Sequence, residues 1–175
     1  MINKKIIKQI FDVFDYNEYT YETNQSLEKL KGKIRCVIDQ KGIFNFRYNL
    51  TGYLKLDRTF ELSKIKELVH INNGIGGSAV IIEGELIERE ENQTNVEIQV
   101  KPNFAMILLP IIFGIIGIGS ILNSIRTWNT ETLLGGLFLI IIPLFWGLLK
   151  YEKKSCKSEF ESALGLSESE IIEDI

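Results

Sequence analysis

The chain has 175 residues, of which 45% are hydrophobic and 25% charged, and its formal net charge is −3. This composition, with only two cysteines, excludes a polyanion-binding protein driven by bulk charge, a disordered chain and a disulfide-stapled secreted module. Residues 1–103 hold 15 basic and 15 acidic residues, whereas residues 104–149 contain only two charged residues, Arg126 and Glu131. Residues 150–175 carry 4 lysines and 7 acidic residues, so the negative charge lies entirely in this last region.

Two helices are predicted before the sheet. Residues 1–15 place isoleucine and phenylalanine at three- to four-residue spacing with lysines on the other side, which is typical of a basic amphipathic helix. Such a helix can lie on an anionic leaflet or pack on the protein's own sheet or on a partner. After a short strand at 19–23, a second helix is predicted over 24–38, begun by Asn24 or Ser26. Its apolar face consists of Leu27, Leu30, Ile34, Val37 and Ile38.

Residues 43–101 predict antiparallel strands, because apolar and polar residues alternate along them. One or two strands are expected at 43–56, followed by a tight turn at 57–58 and a return strand from 59 to about 70. A loop at 72–79 comes next, and then a hairpin with strands at 80–86 and 96–100 around a polar turn at 90–93. One or two helices packed on this small antiparallel sheet make residues 1–103 a cytosolic α+β domain.

Two apolar runs follow the sheet. Residues 104–125 contain no charge over 22 positions, and residues 132–149 contain none over 18. At 1.5 Å per residue they reach about 33 and 27 Å, close to the ~30 Å hydrocarbon core of a bilayer. Buried core helices are a poor alternative, because two such runs need more surrounding protein than this chain supplies. We therefore expect a transmembrane helical hairpin.

Basic residues predict the orientation of this hairpin. The connecting loop carries only Arg126, whereas Lys101 precedes the first run and four lysines at 150–157 follow the second. Both termini are therefore expected in the cytoplasm, with the protein crossing the bacterial inner (cytoplasmic) membrane twice. The lysines after the second run can sit among anionic headgroups.

Small residues and prolines mark both predicted spans. Gly114, Gly117 and Gly119 give the first a small-residue face that suits close helix packing. Pro110 and Pro143 each lie about six residues from the inner end of a span. They are interpreted either as two tolerated kinks or as a shared weak layer that a signal could bend.

Residues 150–175 are predicted to form a cytosolic tail. It starts basic and ends acidic. A short amphipathic C-terminal helix is expected in it, lying beside the sheet. The apolar residues of that helix are Phe160, Ala163, Leu164 and Leu166.

No group of residues predicts catalysis, a cofactor or a metal. The loop at 72–79 fits neither a Walker motif nor a G-x-G-x-x-G loop. Cys36, Cys156 and His70 are far apart in sequence, so neither a zinc site nor a catalytic pair is expected. The acidic residues of 84–92 are those of a solvated hairpin end. We predict that the protein is not an enzyme, with no catalytic, cofactor-binding or metal residues, and that it binds no nucleic acid because it lacks a basic stripe.

Three stretches carry a resemblance to a known family. They are Asn49–Leu62 (NLTGYLKLDRTFEL), Gly84–Val100 (GELIEREENQTNVEIQV) and the apolar runs with the tail, within residues 20–166. This order of parts resembles a family of uncharacterised small bacterial membrane proteins with a cytosolic α+β domain followed by two transmembrane helices. Such relatives usually have an aromatic or proline-containing bridge where this chain has INNGIGGSA. The resemblance implies an architecture and no activity, so it assigns no functional residues.

Three functions are compatible with these features. We expect an integral inner-membrane protein whose cytosolic domain binds a partner or small ligand at the membrane surface. Its partners would be the lipid bilayer and either another protein or further copies of the same chain. The alternative is a membrane-perturbing effector acting through oligomerised hairpins. An enzyme acting on lipid headgroups would need a polar cleft that the sequence does not reveal.

Overall fold

The computed structural model describes residues 16–39, 49–55, 58–64, 78–90, 93–127, 132–167 and 171–172. The elements in chain order are β1 (Asn17–Thr23), α1 (Leu27–Ile38), β2 (Leu50–Leu54), β3 (Thr59–Lys64), β4 (Val80–Glu90), β5 (Gln93–Pro102), α2 (Phe104–Thr127), α3 (Thr132–Leu164) and β6 (Ile171–Ile172). The predicted α+β class is therefore confirmed. The helix expected over residues 1–15, His70 and most of the loop at 72–79 lie outside the described residues.

The strands form one sheet in the order β2-β3-β4-β5-β1-β6, and every neighbouring pair is antiparallel. The predicted hairpin is confirmed, because β4 pairs with β5 from Val80 with Pro102 to Glu90 with Gln93. Both strands are longer than the predicted 80–86 and 96–100 and include Glu90 and Gln93, which were expected in the turn. β3 begins at Thr59 as expected and runs to Lys64. Its expected continuation to residue 70 lies outside the described residues.

One face of the sheet is apolar and is covered by α1 and by the second half of α3. The predicted apolar face of α1 is confirmed, since Leu27, Leu30, Ile34 and Val37 are buried. Ser26 occupies the N-cap position of α1, although its side chain makes no capping hydrogen bond. Complete burial of each large apolar side chain contributes about 1.5–3 kcal/mol, so this layer dominates the stability of the domain.

An aromatic stack lies at the centre of this layer. The rings of Phe60 on β3 and Phe160 on α3 have centroids 5.6 Å apart with planes 18° apart. Gly84 on β4 makes room for the stack, because a Cβ built there would lie 2.3 Å from a ring carbon of Phe60. The register pairs Phe60 with Gly84, so the ring of Phe60 lies over the backbone of the neighbouring strand.

The prediction of a separate short C-terminal helix is wrong, because residues 150–164 continue α3 without interruption. α3 has 33 residues and is therefore about 50 Å long. The physical reason is that the segment after Leu149 has good helix formers and no glycine or proline before Gly165. The expected packing beside the sheet is nevertheless confirmed, since Cys156, Phe160 and Leu164 are fully buried.

A glycine ends α3. Gly165 has φ +67°, the left-handed conformation that residues with a side chain rarely adopt. The backbone N–H of Leu166 donates to the carbonyl of Glu161 at 2.9 Å, which is the long hydrogen bond of a Schellman motif. The chain therefore turns back at this point, and Ile171–Ile172 pair with β1.

α2 and α3 pack against each other, and a Cβ on Gly114 would lie 3.6 Å from Cδ1 of Ile142. By length and composition, one helix among the described residues could cross a membrane, over Phe104–Ser124. Pro110 is buried and Pro143 is exposed. The interpretation of the two prolines, as tolerated kinks or as a shared weak layer, stays a prediction.

Candidate functional site

The helix–sheet junction, formed by Ser78, Ala79, Asn103 and Ala105, connects β5 to α2 through a single residue. The backbone N–H of Asn103 donates to the carbonyl of Ala79 at 3.0 Å, and its side-chain amide donates to the carbonyl of Ser78 at 3.1 Å. The side-chain oxygen of Asn103 accepts from the N–H of Ala105 at 3.3 Å, in the manner of an N-cap. One side chain therefore begins α2 and fixes it to the start of β4.

Two glutamates on the second half of α3 attach this helix to the sheet. Glu159 accepts a hydrogen bond from the backbone N–H of Asn49 at 2.7 Å and lies 3.6 Å from the ammonium of Lys64. Glu161 accepts from the hydroxyl of Tyr21 at 2.9 Å and pairs with Lys157 at 3.1 Å. Lys64 on β3 and Tyr21 on β1 lie on either side of the central strands β4 and β5, so these contacts hold α3 across the width of the sheet.

The C-terminal end of α3 is attached to the turn and helix that follow β1. The carbonyl of Leu164 accepts hydrogen bonds from the side chains of Gln25 and Lys33. A positive charge at this position also interacts favourably with the helix dipole. Burial, followed by repulsion from Lys29, lowers the pKa of Lys33 from its ordinary value.

The lysines that flank the apolar helices divide into two sets. Lys101 pairs with Glu83 at 2.6 Å, and Lys153, 8% exposed, donates to Oδ1 of Asn17 at 3.2 Å. Lys157, paired with Glu161, also lies 4.5 Å from the centroid of the Tyr19 ring. These three lysines face other parts of the domain.

The outward lysine pair consists of Lys150 and Lys154. Both are exposed, and within the described part of the chain neither makes an ion pair. The ammonium of Lys150 lies 5.8 Å from the centroid of the Trp146 ring, within cation–π range. The pair follows directly after Leu149, the last residue of the apolar half of α3.

The outer face of the sheet, which is turned away from α1 and α3, carries a connected polar network. Glu61 is 7% exposed, accepts from the Tyr53 hydroxyl at 2.8 Å and pairs with Lys55 at 2.5 Å. Lys55 also lies 3.6 Å from Glu83, which Lys101 holds from the opposite side. Opposite charges alternate along the network, so its members largely neutralise one another.

Hydrogen bonding changes the proton affinities within this network. The hydrogen bond to Glu61 raises the pKa of Tyr53 above its usual value, and burial and the negative charge of Glu61 raise it further. The hydrogen bond to the same carboxylate raises the pKa of Lys55. The hydrogen bond from Lys101 lowers the pKa of Glu83, against the opposing effect of burial. Each shift favours the protonation state that stabilises the network near neutral pH.

Beside the network, two like charges lie opposite each other. Glu85 on β4 pairs in register with Glu97 on β5, and both are exposed. No ion pair to either is present among the described residues. Cross-strand like charges are destabilising.

The remaining candidates from the sequence are dispersed. Cys36 is exposed on α1, whereas Cys156 is buried in the core, and burial raises its pKa to about 12, so its thiol stays protonated and inert. The acidic segment at 84–92 is largely β4, as expected for a hairpin strand. Within the described ranges, no three histidine, cysteine, aspartate or glutamate side chains are grouped to hold a metal ion.

The sequence did not predict two features: the hydrogen bonds by which Asn103 fixes α2 to the start of β4, and the division of the lysines that flank the apolar helices. The signal for the first was an asparagine directly before a helical apolar run, which is a standard N-cap position. The signal for the second was the four-residue spacing of Lys150 and Lys154, which places them on one helix face.

Comparison of the chain with protein-family models, with curated proteins and with solved structures finds no match. The resemblance drawn from the sequence therefore stays a prediction. The features that bear on function are therefore the helix–sheet junction, the outward lysine pair and the outer face of the sheet.

Proposed function

We propose that the chain is an integral protein of the bacterial inner (cytoplasmic) membrane, and that its cytosolic α+β domain binds a partner at the membrane surface. In this proposal α2 and the apolar half of α3 cross the bilayer, and both termini lie in the cytoplasm. The observation that carries it is the connection of β5 to α2 through Asn103 alone. A domain attached without a linker to a membrane span stays at the bilayer surface, so it meets its partner there.

The continuity of α3 supports the same proposal. This helix runs from its apolar half directly into the core, where Leu149, Cys156 and Phe160 are buried. Glu159 and Glu161 attach it to the sheet. A partner on the outer face would therefore contact a body that is firmly connected to both apolar helices.

Cysteine labelling in intact cells tests the membrane placement. Cys156→Ser leaves Cys36, which is exposed, as the only native thiol. A second variant lacks both native cysteines and carries Thr127→Cys at the end of α2. An impermeant maleimide should label residue 127 in intact cells and Cys36 only after permeabilisation. Labelling of Cys36 alone in intact cells would contradict the orientation, and extraction of the protein by alkaline carbonate would contradict membrane integration.

Site-specific photo-crosslinking tests the partner. A photoreactive residue replaces Glu97, which is exposed on the outer face, or Lys29, which is exposed on α1 and serves as the matched control. We expect a discrete adduct in the membrane fraction from position 97 and none from position 29. No adduct from position 97, or the same adducts from both, would show that the outer face is not the docking surface.

A further inference from the structure

We propose that the outward lysine pair, Lys150 and Lys154, binds the phosphate of an anionic phospholipid headgroup. The inference rests on the membrane placement proposed above and names the chemistry that meets the domain at the bilayer surface. Its starting observation is that the lysines that flank the apolar helices divide into two sets. Lys101, Lys153 and Lys157 are engaged by groups of the domain itself, and the outward pair is not.

The spacing of the pair suits one phosphate group. Residues four apart on a helix are neighbours on its surface, separated by about 6 Å along the axis. Two ammonium groups at this spacing can both reach the oxygens of a single phosphate. The Trp146 ring lies 5.8 Å from the ammonium of Lys150 and limits the positions that this side chain adopts.

No acidic side chain of the same helix face competes for the pair. Glu152 is the nearest acid along the chain, two residues from each lysine. Two residues correspond to a rotation of about 200°, so Glu152 projects from a direction about 160° away around the helix axis. Glu161 is held by Lys157 and by the hydroxyl of Tyr21.

An apolar surface continues from Lys154 on the same side of α3. Ile140 and Leu144 are exposed in the apolar half, and Tyr151 is exposed between the two lysines. At about 100° per residue these positions lie within a single stripe with Lys154. The stripe changes from apolar to aromatic to basic in the order of acyl chain, interface and headgroup. Both parts of a phospholipid therefore find complementary surface along one helix face.

Quenching by brominated lipid tests the site in the full chain. Gly147 precedes Lys150 by three residues, and a Cβ at this position has nothing within 4 Å, so Gly147→Trp places a reporter beside the pair. The native tryptophan at 128 is replaced by phenylalanine, and Trp146, whose ring lies beside Lys150, is kept as a second reporter. The protein is reconstituted into phosphatidylcholine vesicles that contain brominated phosphatidylglycerol or, in parallel, brominated phosphatidylcholine.

We expect stronger quenching by the anionic lipid than by the zwitterionic one. Replacing both lysines, K150Q and K154Q, should weaken the relative affinity for the anionic lipid about thirtyfold, because each lysine near an anionic surface contributes about fivefold. Lys29→Gln removes an exposed charge from α1 instead of α3 and should leave the preference unchanged. Added inorganic phosphate should not displace the lipid.

The outcomes separate the two proposals. Equal quenching by both lipids, or a preference that survives K150Q/K154Q, overturns the headgroup site and leaves the membrane placement standing. Absence of quenching by either lipid overturns the membrane placement, and the headgroup site with it. A preference that Lys29→Gln abolishes equally would show a general effect of net charge and would also overturn the site.

Discussion

Phe160→Ala tests whether the second half of α3 is part of the core of the α+β domain. The side chain of Phe160 is fully buried and stacks on Phe60 at 5.6 Å. Its removal leaves a cavity between α3 and the sheet. We expect the attachment of this half-helix to weaken while the apolar helices stay unchanged, because the substitution lies four turns beyond Trp146.

The magnitude follows from the geometry. Replacing a buried phenylalanine by alanine costs about 3–5 kcal/mol, which includes the lost transfer energy and the cavity. Whole domains are stable by about 5–15 kcal/mol, so this is a large fraction. Since every 1.4 kcal/mol changes an equilibrium tenfold, the open population of the half-helix should rise roughly 10²- to 10⁴-fold.

The buried thiol supplies the assay. Cys156 lies one turn before Phe160 and is completely buried, so it reacts with a thiol reagent only when the half-helix opens. Cys36→Ser leaves this thiol as the sole reporter. Labelling rates are measured in micelles for the parent, for Phe160→Ala and for Phe160→Leu, which keeps an apolar side chain and loses mainly the ring stacking of about 1 kcal/mol.

A clear result would refute the reasoning. Ser158 is exposed, so Ser158→Ala provides a matched substitution on the opposite side of the helix. If Phe160→Ala accelerates labelling of Cys156 no more than Ser158→Ala does, the stack does not hold α3 on the sheet. Labelling of Cys156 in the parent as fast as that of the exposed Cys36 would contradict the burial of this half-helix altogether.

Three further predictions address the sheet and the junction. Gly52→Ala should lower the melting temperature strongly or abolish folding, because the new Cβ would overlap the backbone carbonyl oxygen of Glu61 on β3. Asn103→Ala should lower stability by about 1–2 kcal/mol in a urea titration, since it removes an N-cap and a clamp, whereas Asn103→Asp keeps the cap and should lose less. Acid titration of the melting temperature should show a contribution from Glu83 that is present above its ordinary pKa of 4.5 and is lost as the pH falls through the lowered value in the folded protein. In Lys101→Gln this loss should shift to higher pH; an unchanged profile would contradict the assignment.

Local patterns were sufficient for much of the fold. The apolar positions of α1 repeat at three and four residues, and the core-facing positions of β4 and β5 recur at every second residue, so burial on one face determines both elements. The transition from Lys101 through Asn103 into an apolar run is likewise a local feature of the chain. Where one face of a helix or strand is buried, the spacing of its apolar residues follows from the geometry of that element.

The remaining features depend on contacts between distant residues. The position of the second half of α3 on the sheet depends on packing of Phe160 on Phe60, which are a hundred positions apart in the chain. The network of Lys55, Glu61 and Glu83 depends on the register of three strands. A sequence pattern gives the direction of a side chain from its own element and does not identify the partner that another element supplies.

The turn at Gly165 has a consequence for the solution behaviour of the protein. An uncovered strand at the margin of a sheet is a template on which other chains can add, and natural proteins shield such margins against aggregation. Because the chain reverses after α3, Ile171–Ile172 return to pair with Thr20 and Tyr21 of β1. The two-residue strand therefore shortens the stretch on which a foreign strand could add. The same reversal that ends the longest helix thus also helps to keep neighbouring molecules apart.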